Sequence, residues 1–179
     1  LRREGFVTGN VFGREIKGSI PVKISKNEAE RLLKTNGKGS QVLLNVDGIE
    51  MDVLIKEIDY DSLRGQLLEI DFQALVSTEK VHSVAEIVLH NKDKVLEGAL
   101  EQLLEEVSYK ATPEHLVDKI DVDCATLHLG DTITVGDLDI AKNPAIDLHT
   151  SPEATVATVL EVHNAVADDA DAEDETAEA

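Results

Sequence analysis

Gln41-Val42-Leu43-Leu44-Asn45-Val46-Asp47-Gly48-Ile49-Glu50-Met51-Asp52-Val53-Leu54-Ile55 is the stretch that decides the fold class. Two apolar-rich runs, Gln41 to Val46 and Ile49 to Ile55, flank Asp47-Gly48. A two-residue loop of that kind predicts a β-hairpin, because glycine takes a positive φ that a Cβ would resist. The same pattern extends to both sides. Ser19 to Ile24 alternates through Ile20, Val22 and Ile24, and Gly65 to Phe72 and Val84 to Leu89 read as strands. Glu106–Lys110, Lys119–Val122, Thr132–Val135 and Thr155–Val162 continue it, with breaks at Pro113, Gly130-Asp131, Gly136-Asp137 and Asn143-Pro144.

Helices are few. Ser25-Lys26-Asn27-Glu28 has the spacing of a capping box, and the helix it opens should reach about Thr35 with Leu32 and Leu33 inward and Gly37 ending it. Gly98 to Glu105 fits a helical turn slightly better than a strand, on the spacing of Leu100, Leu103 and Leu104. Thr112-Pro113 predicts a cap with proline at the first position of a short turn. The fold class is therefore mainly β: an N-terminal antiparallel β-barrel with one or two short helices, then a second, mostly β domain.

The 179 residues suffice for two small domains. Aromatics are only 3 %, so the core must be built from Val, Ile, Leu and Ala. The formal charge of −19 excludes a strongly basic coat for nucleic acid, though not a local basic face. That charge is unevenly placed. Residues 1–78 hold 11 Lys/Arg and 12 Asp/Glu, whereas residues 79–179 hold 6 and 24. Asn164 to Ala179 has seven acids and no base, a composition that cannot repay the entropy of ordering, so a disordered acidic tail is expected over 164–179. Domains are expected at 1–77 and 78–163, with the boundary near Ser77–Lys80. The single cysteine, Cys124, excludes an intramolecular disulfide scaffold and fits a reducing, cytoplasmic setting. No apolar run is long enough for a membrane-spanning helix. The start at Leu1, without an apolar leader, reads as truncated or processed rather than targeted.

Catalytic and metal-binding motifs are lacking. His82, His90, His115, His128, His149 and His163 form no H-x-x-H or H-E-x-x-H spacing, and Cys124 has no cysteine partner. The pairs Asp59/Asp61, Asp121/Asp123 and Asp137/Asp139 are what 36 acids produce by chance. Asn36-Gly37-Lys38-Gly39-Ser40 imitates a phosphate loop but lacks the upstream glycine and joins a helix to a strand. No enzyme activity, catalytic residue, metal, cofactor or small-molecule substrate is expected. The N-terminal residues are more informative: Arg2, Arg3 and Arg14 lie among Phe6 and Phe12, a pairing compatible with phosphate contact and base stacking on RNA.

Those residues also carry a resemblance. Leu1-Arg2-Arg3-Glu4-Gly5-Phe6 to Val11-Phe12-Gly13 resembles the opening "LR-x-x-G-x-(I/F)-P-x-V-x-Y-G" of the bacterial large-subunit ribosomal protein of the general-stress Ctc type. Glu69-Ile70-Asp71-Phe72 stands where that family carries "H-(V/I)-D-F". Leu96 to Gln102 resembles its "x-G-G-x-L-x-Q". Ile120 to Leu127, Gly130 to Ile133 and Val135 to Leu138 resemble its "I-x-V-D-(V/I)-(S/T)-x-L-x-x-G-D-x-I-x-V-x-D-L" block. These elements recur in order from residue 1 to about 162.

The resemblance implies a structural component of the large ribosomal subunit whose first domain is a β-barrel on 5S ribosomal RNA, loop E. Carried over by position, Arg2, Arg3, Phe12, Arg14, Lys56, Glu69 and Asp71 are the implied RNA-binding residues. Thr8 replaces the family's proline, Phe12 its tyrosine, Glu69 its histidine, and Lys56 and Asp59 two glutamines. A first strand that the family has before Leu1 is expected to be missing, leaving a barrel edge open to a second copy of the chain. The RNA reading predicts a positive patch of Arg2, Arg3, Arg14 and Lys56. The alternative is a diverged, non-ribosomal relative acting as a stress-related protein-interaction module, with Arg2 and Asp71 on a surface of mixed or negative potential.

Overall fold

A computed structural model describes residues 4–95 and 98–161. Arg2, Arg3 and the predicted acidic tail lie outside the described residues. The chain builds β1 (Phe6–Phe12), β2 (Ser19–Ser25), α1 (Lys26–Thr35), β3 (Gln41–Val46), β4 (Ile49–Asp61) and β5 (Gln66–Ala74). These five strands form one sheet in the order β2-β1-β5-β4-β3. Asp47 and Gly48 both take positive φ, as the hairpin turn requires, and the Asn45 side chain accepts the Gly48 amide at 3.0 Å. Buried Val7, Val11, Val53, Ile55, Ile70 and Phe72 pack on one face with Ala29 of α1.

Two features of this unit depart from an antiparallel barrel. β1 runs parallel to β5, with Thr8 opposite Glu69 and Val11 opposite Phe72. The reason is connectivity: the β1–β2 hairpin hands the chain to α1, which carries it to the far edge, so the β3–β4–β5 meander returns alongside β1. Gly9 makes the approach feasible, since a Cβ there would sit 2.0 Å from the Ile70 carbonyl oxygen. The sheet also ends on two edges, β2 and β3, which do not pair with each other. Val22, Ile24, Leu44 and Val46 face the space between them, half-buried.

The helix starts where the sequence places it. The Glu28 amide donates to Ser25 Oγ at 3.3 Å, but the Glu28 carboxylate accepts the Ser25 hydroxyl at 2.5 Å rather than the Ser25 amide. Asn36 ends the helix, its amide and side chain both donating to the Leu32 carbonyl.

A second unit follows: β6 (Val81–His90), β7 (Ala99–Gln102), β8 (Glu106–Ala111), β9 (Lys119–Asp123), β10 (Thr132–Thr134), α2 (Asp139–Lys142), β11 (Asp147–Leu148) and β12 (Thr155–Leu160). Its two sheets, β11-β8-β6-β9 and β10-β12-β7, enclose a separate core of Ala85, Val107, Tyr109, Cys124, Val135, Val156 and Ala157, among others. The helical expectation for Gly98–Glu105 is corrected here: Ala99 to Gln102 is a strand antiparallel to β12, from Ala99↔Leu160 to Gln102↔Ala157. The three leucines share no buried stripe. Leu100 and Leu104 pack on the core, whereas Leu103 is 55 % exposed. Gly98 marks the pairing, because a Cβ would stand 2.5 Å from the Leu160 carbonyl oxygen. Pro113–His115 forms the predicted short 3-10 turn, its proline in the first turn.

The phosphate-loop imitation is the joint between the two units. The Gly39 amide donates to the Ile55 carbonyl at 2.8 Å, and Ile55 returns a bond to Ser40 at 2.9 Å. From the second unit, Asp118 accepts the Ser40 hydroxyl at 3.2 Å, and Val84 presses on Gly39, where a Cβ would lie 2.0 Å from its carbonyl oxygen.

Candidate nucleic-acid interface

Along β1 and β5, apolar residues alternate with polar ones. Val7, Gly9 and Val11 are buried, as are Ile70 and Phe72. Strand period 2 then sends Thr8, Asn10 and Phe12, with Glu69, Asp71 and Gln73, to the outer face. Asn10 is the centre of this face. Its amide donates to Asp71 Oδ1 at 3.1 Å, and its side-chain nitrogen reaches Glu69 Oε1 at 3.2 Å and Asp71 Oδ1 at 3.4 Å. Asn10 lies opposite Pro21 of β2, a residue with no N–H to contribute. Two carboxylates and one amide are thus held in a fixed pattern, with carboxylate lone pairs left for further donors.

The face is electrically polarised across its width. Glu57 lies opposite Asp71 and Asp59 opposite Glu69, making the β4–β5 side acidic. On the β2 side, Lys23 sits opposite Thr8 with its ammonium 5.1 Å from the centre of the Phe6 ring. An aromatic face beneath an ammonium fixes the cation without neutralising it.

Of the expected positive patch, Arg14 and Lys56 are among the described residues, and each is turned to a partner of its own. Arg14 leaves β1 at its C-terminal end and pairs with Glu79. Phe12 is half-buried and lines a groove with Gly13, Arg14, Gln73 and Val81. Lys56 is elsewhere: its ammonium donates to the His82 carbonyl at 2.7 Å, at the joint between units. Burial, then the charge of Lys38, holds that ammonium below the usual lysine range. The reason for this displacement is the irregularity of β4 between Ile55 and Glu57, where the register shifts and the alternation restarts. Glu69 and Asp71 are brought together by the structure; Arg2 and Arg3 lie outside the described residues. Asn10 and Lys23 were missed by the sequence reading, although period 2 along Val7–Val11 and Ile20–Ile24 marks both as outward.

The carboxylate pairs elsewhere have structural partners. Asp121 meets His90 at 2.8 Å, Asp123 accepts from Asn91 and the Ala125 amide, and Asp137 accepts the Thr134 amide and hydroxyl. Burial pushes the Cys124 thiol up, away from a reactive thiolate.

Residues 1–72 match the model of the ribosomal L25p family, and residues 80–163 that of the C-terminal domain of ribosomal protein TL5. The large ribosomal subunit protein bL25 of Geobacillus thermodenitrificans is 32 % identical over 162 residues, covering 89 % of this chain and 76 % of its own length. The chain belongs to the bL25 family. The bL25 protein of Listeria monocytogenes serotype 4b is 31 % identical over 161 residues, with the same shares covered. That of a Thermoanaerobacter species is 28 % identical over 164 residues, 89 % of this chain and 80 % of its own. Membership in a family of ribosomal proteins fits the reading of the chain as a non-enzyme.

Proposed function

We propose that this chain is a structural component of the large ribosomal subunit in the cytoplasm and that it binds 5S ribosomal RNA. In this reading residues 1–77 form the RNA-binding unit and residues 78–163 a second unit docked beside it. The observation that carries it is the Asn10–Glu69–Asp71 cluster on the outer face of a chain matched by bL25 relatives over 89 % of its length. Carboxylates repel phosphates, but they accept hydrogen bonds from ribose 2′-hydroxyls and from guanine amino groups in a shallow minor groove. Asp71 takes that role, while Glu69 accepts from the Asn10 side chain and sets its orientation. Lys23 meets the backbone on the opposite rim, Phe12 and Arg14 meet RNA beyond the end of β1, and Arg2 and Arg3 add phosphate contacts.

The test is a titration of the full chain against 5S ribosomal RNA at two salt concentrations, with Glu69→His alongside. Log affinity should fall linearly with log salt, with a slope of about −0.9 per phosphate neutralised. Glu69→His should bind about 3- to 10-fold more tightly at low salt, since one negative charge near the backbone is removed. Equal binding of 5S RNA and an unrelated RNA duplex by both forms would count against the reading.

A further inference from the structure

The joint between the units gathers basic groups from both of them. A cavity of about 150 Å³ opens there, lined by Lys38, Gly39, Lys56, His82, Ser83 and Ser108 together with Leu54, Ile55 and Val84. No carboxylate lines it among the described residues. The sheet of the second unit adds to the charge. Lys110 is opposite His82 on β6 and β8, and His149, whose amide donates to the Ser108 carbonyl at 2.9 Å, sets its ring 4.5 Å from that of His82 at a 45° tilt. Three ammonium groups and two imidazoles therefore converge from β4, the loop before β3, β6, β8 and the segment after β11.

The surrounding acids are engaged at the margins. Glu106 pairs with Lys38 at 3.7 Å, Asp147, which lies opposite Lys110, pairs with Lys80 at 2.7 Å, and Asp118 accepts from Ser40. Among the described residues the Lys56 ammonium has the His82 carbonyl as its one hydrogen-bond partner, so two of its three N–H groups remain to be used. His82 is held below the usual histidine range by burial, then by His149, Lys110 and Lys56. The Lys56 ammonium, with Lys38 and His82 beside it and no acid lining its cavity among the described residues, is the charge that an anion would answer.

We propose that this cavity is a second phosphate site, centred on Lys56 with Lys38, Lys110, His82 and His149, and that an RNA backbone phosphate fills it. The RNA half of the proposal rests on the reading given above; the phosphate half stands on the cavity alone. The site lies on a different part of the molecule from the Asn10 cluster, so RNA held at both would span the two units and fix their mutual orientation.

Two measurements on the full chain test it. In the first, the His82 and His149 ring signals are followed by NMR during titration with inorganic phosphate, against sodium chloride at matched ionic strength. A saturable shift with phosphate, a rise of the His82 pKa on binding, and loss of both in Lys110→Gln are expected; a shift equal for the two salts overturns the site. Lys110→Gln is used because Lys56→Gln also removes the bond to His82, and Lys56→Arg should retain binding. In the second, the salt dependence of 5S RNA affinity is compared between the wild type and Lys110→Gln. The slope should fall in magnitude by about 0.7 to 0.9, the change expected when one phosphate is no longer neutralised. An unchanged slope with RNA still bound overturns the RNA half. If the wild type binds no 5S RNA, the proposed function and the RNA half fail together, and saturable phosphate binding still upholds the site.

Discussion

At the scale of single residues, Asp71 has the most to lose. It accepts both the backbone and the side chain of Asn10 across the β1–β5 pairing. Asp71→Ala strands a half-buried amide and should cost about 1–3 kcal/mol in urea denaturation, whereas Asp71→Asn, which keeps an acceptor oxygen, should cost less than half as much. Acid acts on different residues. Asp123, Asp137 and Asp147 are all held below the ordinary carboxylate range, chiefly by hydrogen bonds from Asn91, from the Thr134 amide and from Lys80 respectively. A carboxyl depressed in the folded state contributes stability above its unfolded value of 3.8 and loses it as pH falls through the folded one. The melting temperature should therefore drop between pH 5 and pH 3, and Asp137→Asn should flatten that drop. The residues Glu69 and Asp71 were legible from the sequence as part of a recognisable motif. Their partner Asn10 was not, since the contact spans some sixty positions along a parallel pairing that no local pattern announces. The turn of Lys56 toward the His82 carbonyl was not legible either, because strand counting cannot see a register shift.

Among elements, the hairpin at Asp47-Gly48 and the Ser25-capped helix follow from local chemistry, and both were legible. β7 was not. Leucine spacing favoured a helix, but pairing with β12 satisfies the backbone of Ala99–Gln102 and leaves Leu103 in solvent, so a distant strand overrode the local preference. The parallel β1–β5 contact is equally hidden and depends on one residue. Gly9→Ala would drive a methyl group into the Ile70 carbonyl. It should cost about 3 kcal/mol or more, read as a lowered urea midpoint, because the clash is with backbone and not with a side chain able to turn aside.

For the whole molecule, the joint at Gly39 decides whether two β units behave as one body. Gly39 has a φ of +87° and meets the Val84 carbonyl, so an alanine there is strained twice over. Gly39→Ala should leave both cores folded but release the joint. Small-angle scattering should then report a larger radius of gyration, and heating should resolve two transitions in place of one. The division of charge, near neutrality in residues 1–78 and strong acidity beyond, was legible from the sequence. That Lys38 and Lys56 of the first half come near His82 and Lys110 of the second was not, because it depends on how the two sheets dock.

Tyr109 has a consequence for how this protein can be watched. The chain contains two tyrosines and no tryptophan. Tyr60 stands on β4, 55 % exposed, while Tyr109 is wholly buried on β8 with its hydroxyl bonded to both the amide and the carbonyl of Val117. Each unit thus carries its own intrinsic chromophore, one bathed in solvent and one sealed from it. Acrylamide should quench the first and spare the second until the second core opens. Burial also raises the Tyr109 phenol above its ordinary value of 10.0, so the stability this group contributes is intact below that pH and declines as alkali forces it to ionise. Ultraviolet difference spectra taken through that titration would follow the opening of one half of the molecule without any attached dye.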